Sequence, residues 1–379
     1  MRKSSPTGTP QVLGQVHEDP LGQISNAIRL SLRETVVGIG ILAGLSWLVP
    51  TAWEHVERFE PGPDYRIPYN LGTDYWFYGR YCRVAASRSK VLVVGDSVIW
   101  GQYVRKDQTL SHHLNVQAGR VDHFANLGLD GSHPLALAGL LEHYAGAITG
   151  CDVLLHCNPL WMTSPKHDLQ TDKEFQFNHP RLVPQFRPRI PCYTASWSER
   201  VGIVIERHLP LFSWASHVQL VYFNGMSLAN WTMEHPYRNP LRAVTLEVPS
   251  SDKAPESEQL PWFQRGIDKS DFPWVEPGTS RQWDAFQRCV SVLRRRGNRV
   301  FVVIGPFNEH MLVGKSAETY GRIKGEMQAW LVREGIPHFL PPILPRPLYA
   351  DASHPLSAGY ERLAEQLHQD EAFRKFEGR

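Results

Sequence analysis

From Lys90 almost to the C-terminus, short segments rich in Val, Leu and Ile alternate with longer segments of helical spacing, which restricts the chain to few fold classes. Strands are predicted at residues 91–94, 121–125, 152–156, 299–304 and 337–340. Helices are predicted at residues 108–116, 134–148, 281–296, 317–334 and 355–367. Such alternation is typical of an α/β fold in which a mostly parallel sheet has helices on both faces.

The alternation stops between Leu160 and Ser280, where Pro, Trp, His and Arg are frequent. This stretch is too long for a bare loop in a compact domain. We therefore predict one domain over residues 87–375 with an insertion at about 160–280, packed on the edge of the sheet or over its mouth. Six tryptophans of the insertion either contact a sugar substrate or build the insertion's own core: Trp161, Trp197, Trp214, Trp231, Trp262 and Trp274.

Nineteen consecutive uncharged residues, 35–53, lie between Glu34 and Glu54. At about 1.5 Å per residue, a helix of this length spans roughly 28 Å, close to the thickness of a bilayer core. We predict a transmembrane signal-anchor helix at 35–53, after a cytoplasmic tail (1–34) and before a juxtamembrane lead (54–86). The flanking charges favour an extracytoplasmic large domain, with Arg2, Lys3, Arg29 and Arg33 before the helix and Glu54, Glu57 and Glu60 after it. A cleaved signal peptide and a buried core helix are the alternatives.

The overall charge and the cysteines exclude some functional classes. With 40 Lys and Arg against 38 Asp and Glu, the net charge is +2, so no basic field indicates nucleic-acid binding. The five cysteines are irregularly spaced and do not form a zinc pattern. They are interpreted as buried thiols, and a disulfide between Cys82 and Cys192 is the alternative for an exported domain. No cofactor motif and no metal motif are found.

Polar residues follow the predicted strands, where the carboxyl ends of a parallel sheet form ligand sites. Ser97 comes after the first strand, Gly131 lies in the turn after the second, and Asn158 follows the third. The loop before the last predicted helix contains Asp351 and His354. These segments therefore predict one polar site at a single edge of the sheet.

The residue types are those of a serine nucleophile site. His354 can accept the proton of the Ser97 hydroxyl, and Asp351 can hold the correct tautomer of the imidazole. The backbone N–H groups of Ser97 and Gly131 and the amide of Asn158 can form an oxyanion hole. A purely structural alternative for Asp351 is an N-cap of the last predicted helix, with Pro355 at the first helical position.

These residues resemble the motifs of the SGNH (GDSL-type) hydrolase superfamily. The first block corresponds to Gly95-Asp96-Ser97 with Gly101, and the second to Asn126, Gly128 and Gly131. The last block corresponds to Asp351, His354 and Pro355. The third block differs, because the family's G-x-N-D is His156-Cys157-Asn158-Pro159 here. The resemblance implies a three-layer α/β/α flavodoxin-like fold of about five parallel strands, and ester hydrolysis or acyl transfer through an acyl-serine.

Three functions are consistent with this pattern. The first is a membrane-anchored, extracytoplasmic esterase that acts on an acylated carbohydrate or cell-envelope polymer, or on a lipid or envelope ester. The second is a polysaccharide O-acetyltransferase that uses the same serine, with a sugar hydroxyl in place of water. The third is a catalytically weak, membrane-tethered binding or assembly module, which the unusual third block favours.

Overall fold

The computed structural model describes residues 30–88, 90–249 and 260–378. In this part of the chain, five strands form one parallel sheet with the order β2-β1-β3-β4-β5. The strands are β1 (Val91–Gly95), β2 (Phe124–Gly128), β3 (Asp152–Cys157), β4 (Arg299–Ile304) and β5 (His338–Phe339). The predicted α/β class and the parallel five-stranded sheet are confirmed.

Helices of very different length precede, separate and follow the strands along the sequence. They are α1 (Leu32–Val56), α2 (Tyr75–Ser87), α3 (Ser97–Trp100), α4 (Leu110–Ala118), α5 (Pro134–His143), α6 (Trp197–His208), α7 (Pro210–Tyr222), α8 (Leu228–Glu234), α9 (Pro240–Ala243), α10 (Arg281–Arg295), α11 (Gly314–Arg333), α12 (Ser357–Gln369) and α13 (Glu371–Glu377). Helices α6–α9 all lie in the predicted insertion, of which residues 250–259 are outside the described chain.

The interior strand β1 is fully buried, because alternate side chains enter two different apolar clusters. Leu92 and Val94 join a cluster with residues of α2, α5, α10 and α11. Val91 and Val93 join a cluster with residues of α4, α12 and α13. A continuous apolar strand is stable in this position because both of its faces are removed from water.

Several predicted boundaries are wrong, among them the end of the helix predicted at 134–148, which is His143. The second strand was predicted at 121–125 but is Phe124–Gly128, and Val121 is 84% exposed. The strand's position follows its register with β1, in which Gly128 lies opposite Gly95. The last predicted helix is α12, which begins at Ser357, not at residue 355.

Helix α2 was not predicted. Asp74 caps its start by accepting a hydrogen bond from the Phe77 N–H, and nine of its thirteen residues are buried. A helix that is buried almost all round lacks the polar stripe that produces a helical hydrophobic period. Residues 75–86 of the predicted juxtamembrane lead therefore contribute to the main apolar cluster.

The described chain divides into two units, which lie before and after the boundary between residues 45 and 46. The described part of the first unit consists of residues 30–45, most of which belong to α1. Its large apolar side chains are exposed: Leu30, Leu32, Val36, Val37, Ile39, Ile41, Leu42 and Leu45. Helix α1 is long and apolar enough to cross a membrane, and only 11% of its most apolar window is buried, which disagrees with a core helix. Residues 1–29 of the predicted tail, with Arg2, Lys3 and Arg29, lie outside the described residues.

A buried polar cluster, which we call the Glu57 cluster, joins the C-terminal end of α1 to α2 and α7. His217 lies between two carboxylates, with Nδ1 2.7 Å from Asp74 Oδ2 and Nε2 2.9 Å from Glu57 Oε1. Glu57 also accepts hydrogen bonds from Arg80 and from the Tyr222 hydroxyl. Burial alone would lower the pKa of His217, but the two carboxylates outweigh it and raise the pKa to about 9.

All five cysteines are free thiols, and four of them are buried. The alternative disulfide between Cys82 and Cys192 is therefore not formed. Burial raises the pKa of Cys82 and Cys157, which favours the unreactive thiol over the thiolate.

Candidate active site

Ser97 is the first residue of the short helix α3, directly after strand β1. Asp96 caps this helix, because its Oδ1 accepts a hydrogen bond of 3.0 Å from the Val98 N–H. The helix lies so close to strand β2 that a Cβ atom on Gly128 would be 2.2 Å from the backbone nitrogen of Trp100. A glycine at 128 therefore allows the serine-bearing turn to lie against the edge of the sheet.

Ser97, His354 and Asp351 form one hydrogen-bonded row. The Oγ of Ser97 is 2.8 Å from Nε2 of His354, and Nδ1 of His354 is 2.8 Å from Oδ2 of Asp351. Since Nδ1–H donates to the carboxylate, Nε2 is free to accept the proton of the serine hydroxyl. Ser97 and His354, more than 250 positions apart in the sequence, thus have the geometry of a nucleophile and its base, and Asp351 has that of the orienting acid.

Asp351 holds the loop as well as the imidazole. Its Oδ1 accepts hydrogen bonds of 2.9 Å from the backbone N–H groups of Ser353 and His354. The alternative role as N-cap of the last helix is wrong, because α12 begins at Ser357 after Leu356. The capped turn at 351–354 instead fixes the position of the His354 ring.

The charges of this row shift both pKa values in the direction that a general base requires. Burial would raise the pKa of Asp351, but His354 and the two backbone donors outweigh burial and hold the pKa well below its usual range. Burial would lower the pKa of His354, but the Asp351 carboxylate outweighs it and raises the pKa. Asp351 therefore stays ionised and stabilises the imidazolium that forms when His354 takes up a proton.

The three predicted oxyanion donors lie at the carboxyl ends of three adjacent strands. Ser97 follows β1, Gly131 lies three residues after β2, and Asn158 directly follows β3. Strand β1 pairs with both of the others, so these ends are neighbours. The Asn158 amide gives one hydrogen to Asp96 Oδ2 at 2.7 Å, which leaves its second hydrogen for a substrate oxygen.

Gly131 is required for a reason that the sequence did not indicate. Its φ of +69° is unfavourable for other residues, and a Cβ atom would lie 2.3 Å from Nδ2 of Asn178. A side chain at 131 would therefore collide first with the insertion.

Asp96 is the functional residue that sequence reasoning missed. Besides the Val98 N–H, its carboxylate accepts hydrogen bonds from the Asn158 amide and from Nε1 of Trp161 at 2.8 Å. The His156 ring faces it, with Nδ1 3.2 Å from Oδ1. Burial would raise the pKa of Asp96, but His156 and these donors outweigh it and lower the pKa to about 2. Its position just before a strand-to-helix serine was the available signal, since aspartate is a preferred N-cap.

The insertion supplies several neighbours of the site. Nε2 of His179 contacts the backbone carbonyl oxygen of Asp130 at 2.7 Å, which fixes the turn that contains Gly131. The guanidinium of Arg265 lies 4.6 Å from the ring centre of Tyr103, and this ring meets the His354 ring edge-on at 5.3 Å. No spacing in the sequence indicated Tyr103 or Arg265.

Four of the insertion's tryptophans pack in apolar clusters. Trp231 is buried with Tyr222 and Phe223 of the insertion, whereas Trp262 is buried in a cluster made mainly of residues 307–352. Trp214 and Trp274 pack against the main apolar cluster. Trp161 donates to Asp96 at the site, and Trp197 is largely exposed, at 73%. Packing therefore accounts for four of the six, but most of it joins the insertion to the rest of the domain.

Asn126 is a positioning residue of the second block. Its amide donates to the Ile99 carbonyl at 2.7 Å, and its Oδ1 accepts from the Gly128 N–H at 3.0 Å. The first bond connects the serine-bearing helix α3 to strand β2, and the second holds the Asn126 side chain against its own strand. The site is thus assembled from four strand-end segments.

No family model matches the sequence. No curated protein matches it either.

Proposed function

We propose that the protein is a serine esterase of the SGNH type. The row of Ser97, His354 and Asp351, with both hydrogen bonds at 2.8 Å, is the observation that supports it most. A second support is the position of three oxyanion donors at the same edge of the sheet. A third support is that Asn158 directly follows β3, although this block departs from the family pattern, and that its amide donates one hydrogen to Asp96.

The proposed reaction has two steps. Ser97 Oγ attacks the ester carbonyl while its proton moves to His354 Nε2, and the departing alcohol then takes that proton. Water attacks the acyl-serine in the second step, with His354 again accepting and returning a proton, and a carboxylic acid leaves. The backbone N–H groups of Ser97 and Gly131 and the Asn158 amide stabilise each oxyanion, by roughly 3 kcal/mol per donor.

The finer fold assignment belongs to the same proposal. We propose a three-layer α/β/α flavodoxin-like domain, since the strand order β2-β1-β3-β4-β5 is that of flavodoxin-like sheets. The two apolar clusters that share β1 support this arrangement.

We propose a single-pass membrane protein whose catalytic domain is extracytoplasmic. The exposed apolar helix α1 supports the anchor, and the basic residues before residue 35 support the orientation. The proposed substrate lies outside the cytoplasm and is an acylated carbohydrate or cell-envelope polymer, or a lipid or envelope ester. Transfer of the acyl group to a sugar hydroxyl uses the same acyl-serine and is an outcome to be measured.

A fluorophosphonate probe tests the function directly. We expect labelling of the wild-type protein and loss of labelling in Ser97→Ala, because only an activated serine attacks the probe. Ser132→Ala is the matched control, since Ser132 is equally buried and lies beside Gly131. Well-folded wild-type protein that is not labelled would favour the binding-module alternative. Labelled protein that acetylates an added glycan from an activated acetyl ester would be a transferase.

The pH dependence of kcat/KM should show the raised pKa of His354. Only the neutral imidazole accepts the serine proton, so the rate rises with pH through a midpoint above 6.5, the ordinary histidine value. In Asp351→Asn, burial acts without the carboxylate, so the midpoint of the residual activity should move to lower pH. An unchanged midpoint in this variant would show that Asp351 does not set the protonation of His354.

A further inference from the structure

A cavity of about 370 Å³ lies away from the triad, where four helices converge on the C-terminal part of α1. Helix α1 contributes one face, with the residues Trp47, Pro50, Thr51 and Glu54. Helix α2 contributes Tyr75, Trp76, Gly79 and Arg83, and the remaining walls are His143, Tyr144, Arg207, Pro210 and Ser213. The proposed esterase reaction uses none of these residues.

The cavity contains a cation whose charge is not neutralised. Arg83 is paired with Glu54, so these two charges cancel. Arg207 donates only to backbone carbonyls, through Nε at 3.0 Å to Arg181 and through one terminal nitrogen to Arg181 and Val183. No carboxylate forms an ion pair with Arg207 in the part of the chain that the structure describes.

Nearby carboxylates are already engaged with other arginines. Glu142 accepts two hydrogen bonds from Arg288, at 2.5 and 2.7 Å, and Glu206 is paired with Arg181. Burial and the charge of Arg207 lower the pKa of His143 to about 4, so His143 is a neutral wall. The cavity therefore has a net positive charge, with a guanidinium that favours a planar or tetrahedral oxyanion.

The remaining walls are aromatic and apolar. Trp47, which is 65% exposed, and Trp76 and Pro50 line the cavity together with the rings of Tyr75 and Tyr144. Trp47 and Pro50 lie near the end of the uncharged segment of α1, where a membrane span meets the headgroup region. An occupant thus has an anionic group and an apolar group in one molecule.

We propose that this cavity binds an anionic phosphate ester, held by Arg207, at the end of the membrane anchor. An anionic phospholipid headgroup and a soluble phosphate ester share this chemistry. The inference is independent of esterase activity but rests on α1 being a membrane span for the lipid source.

Thermal unfolding of the full chain in detergent micelles tests the proposal with three additions. Phosphatidylglycerol should raise the Tm of the wild type by about 3 °C or more, because it binds the folded state. Phosphatidylcholine, which has no net charge, should give less than half of this shift. Glycerol phosphate identifies the source: an equal shift assigns the site to soluble phosphate esters, and a smaller one assigns it to the lipid.

Arg207→Gln should lose most of the phosphatidylglycerol shift. Arg200→Gln is the matched control, since Arg200 lies on the same helix and also donates to backbone carbonyls, but outside the cavity. If Arg207→Gln does not fold, Ser213→Asp places a carboxylate in the cavity, near the start of α7 where an acid is favourable, and should also remove the shift. Equal shifts in the wild type and the variant that folds, equal shifts from both lipids, or no shift at all would overturn the proposal.

Discussion

Replacing His354 by alanine is expected to lower kcat for an activated ester by about 10⁴- to 10⁶-fold. The variant removes the base that lies closest to the serine, since His354 Nε2 is 2.8 Å from the Ser97 Oγ. Steady-state rates with a p-nitrophenyl ester measure the loss. The fold should remain intact, because His354 contributes one ring to the site and the turn at 351–354 keeps its Asp351 cap through the Ser353 N–H.

His310→Ala is the control for this prediction. His310 contacts the Leu344 carbonyl oxygen and takes no part in the triad, so its removal should change kcat by less than about tenfold. Free imidazole added to His354→Ala should restore part of the activity, because the base is what the variant lacks. A His354→Ala rate close to the wild-type rate would end the proposed mechanism.

Replacing His217 by alanine is expected to destabilise the protein by about 3–5 kcal/mol, the typical result of removing one partner from a buried ion pair. His217 is fully buried between Glu57 and Asp74, so the variant leaves two buried carboxylates with Arg80 as the remaining cation. Denaturant unfolding of the full chain in detergent measures the change. His208→Ala, at an exposed position of α6, should change the free energy of unfolding by less than about 0.5 kcal/mol.

The loss should depend on pH in a defined direction. The pKa of His217 is raised to about 9, so its stabilising contribution is complete below about pH 6.5 and disappears as the pH rises through 9. The difference in free energy of unfolding between wild type and His217→Ala should therefore shrink between pH 6.5 and 9. A difference that stays constant over this interval would show that the imidazolium is not the source of the stability.

The strands could be predicted because burial on two faces leaves a continuous run of apolar residues. The longer helices could be predicted because burial of one stripe leaves a helical period. Arg299–Ile304 is identical in prediction and structure. Helix α2 was not predicted, because aromatic residues cover nearly all of its circumference. The boundary of β2 was misplaced because its register with β1, rather than local hydropathy, decides which residues extend. The helices of the insertion were not predicted either, and none of the residues of α6 is buried.

Ser97, Gly131 and Asn158 could be named in advance because each follows a strand, and parallel strands bring their carboxyl ends together. Asp351 and His354 could be named because the loop before the last predicted helix contains both. The residues that hold these side chains in place could not be named in advance. Trp161 and Asn158 both reach Asp96 only through the packing of the segment after β3 against the serine-bearing turn. The Arg265–Tyr103 pair beside His354 likewise depends on how the insertion folds back over the site.

The carboxylate of Asp96 joins two segments, the serine-bearing turn and the segment after β3, and this limits how the protein can change during evolution. A substitution at 96, 158 or 161 leaves a buried donor or acceptor without its partner, which is costly when made alone. Related sequences should therefore show covariation at these three positions. A directed-evolution library that varies them jointly should yield active clones more often than three libraries that vary them singly.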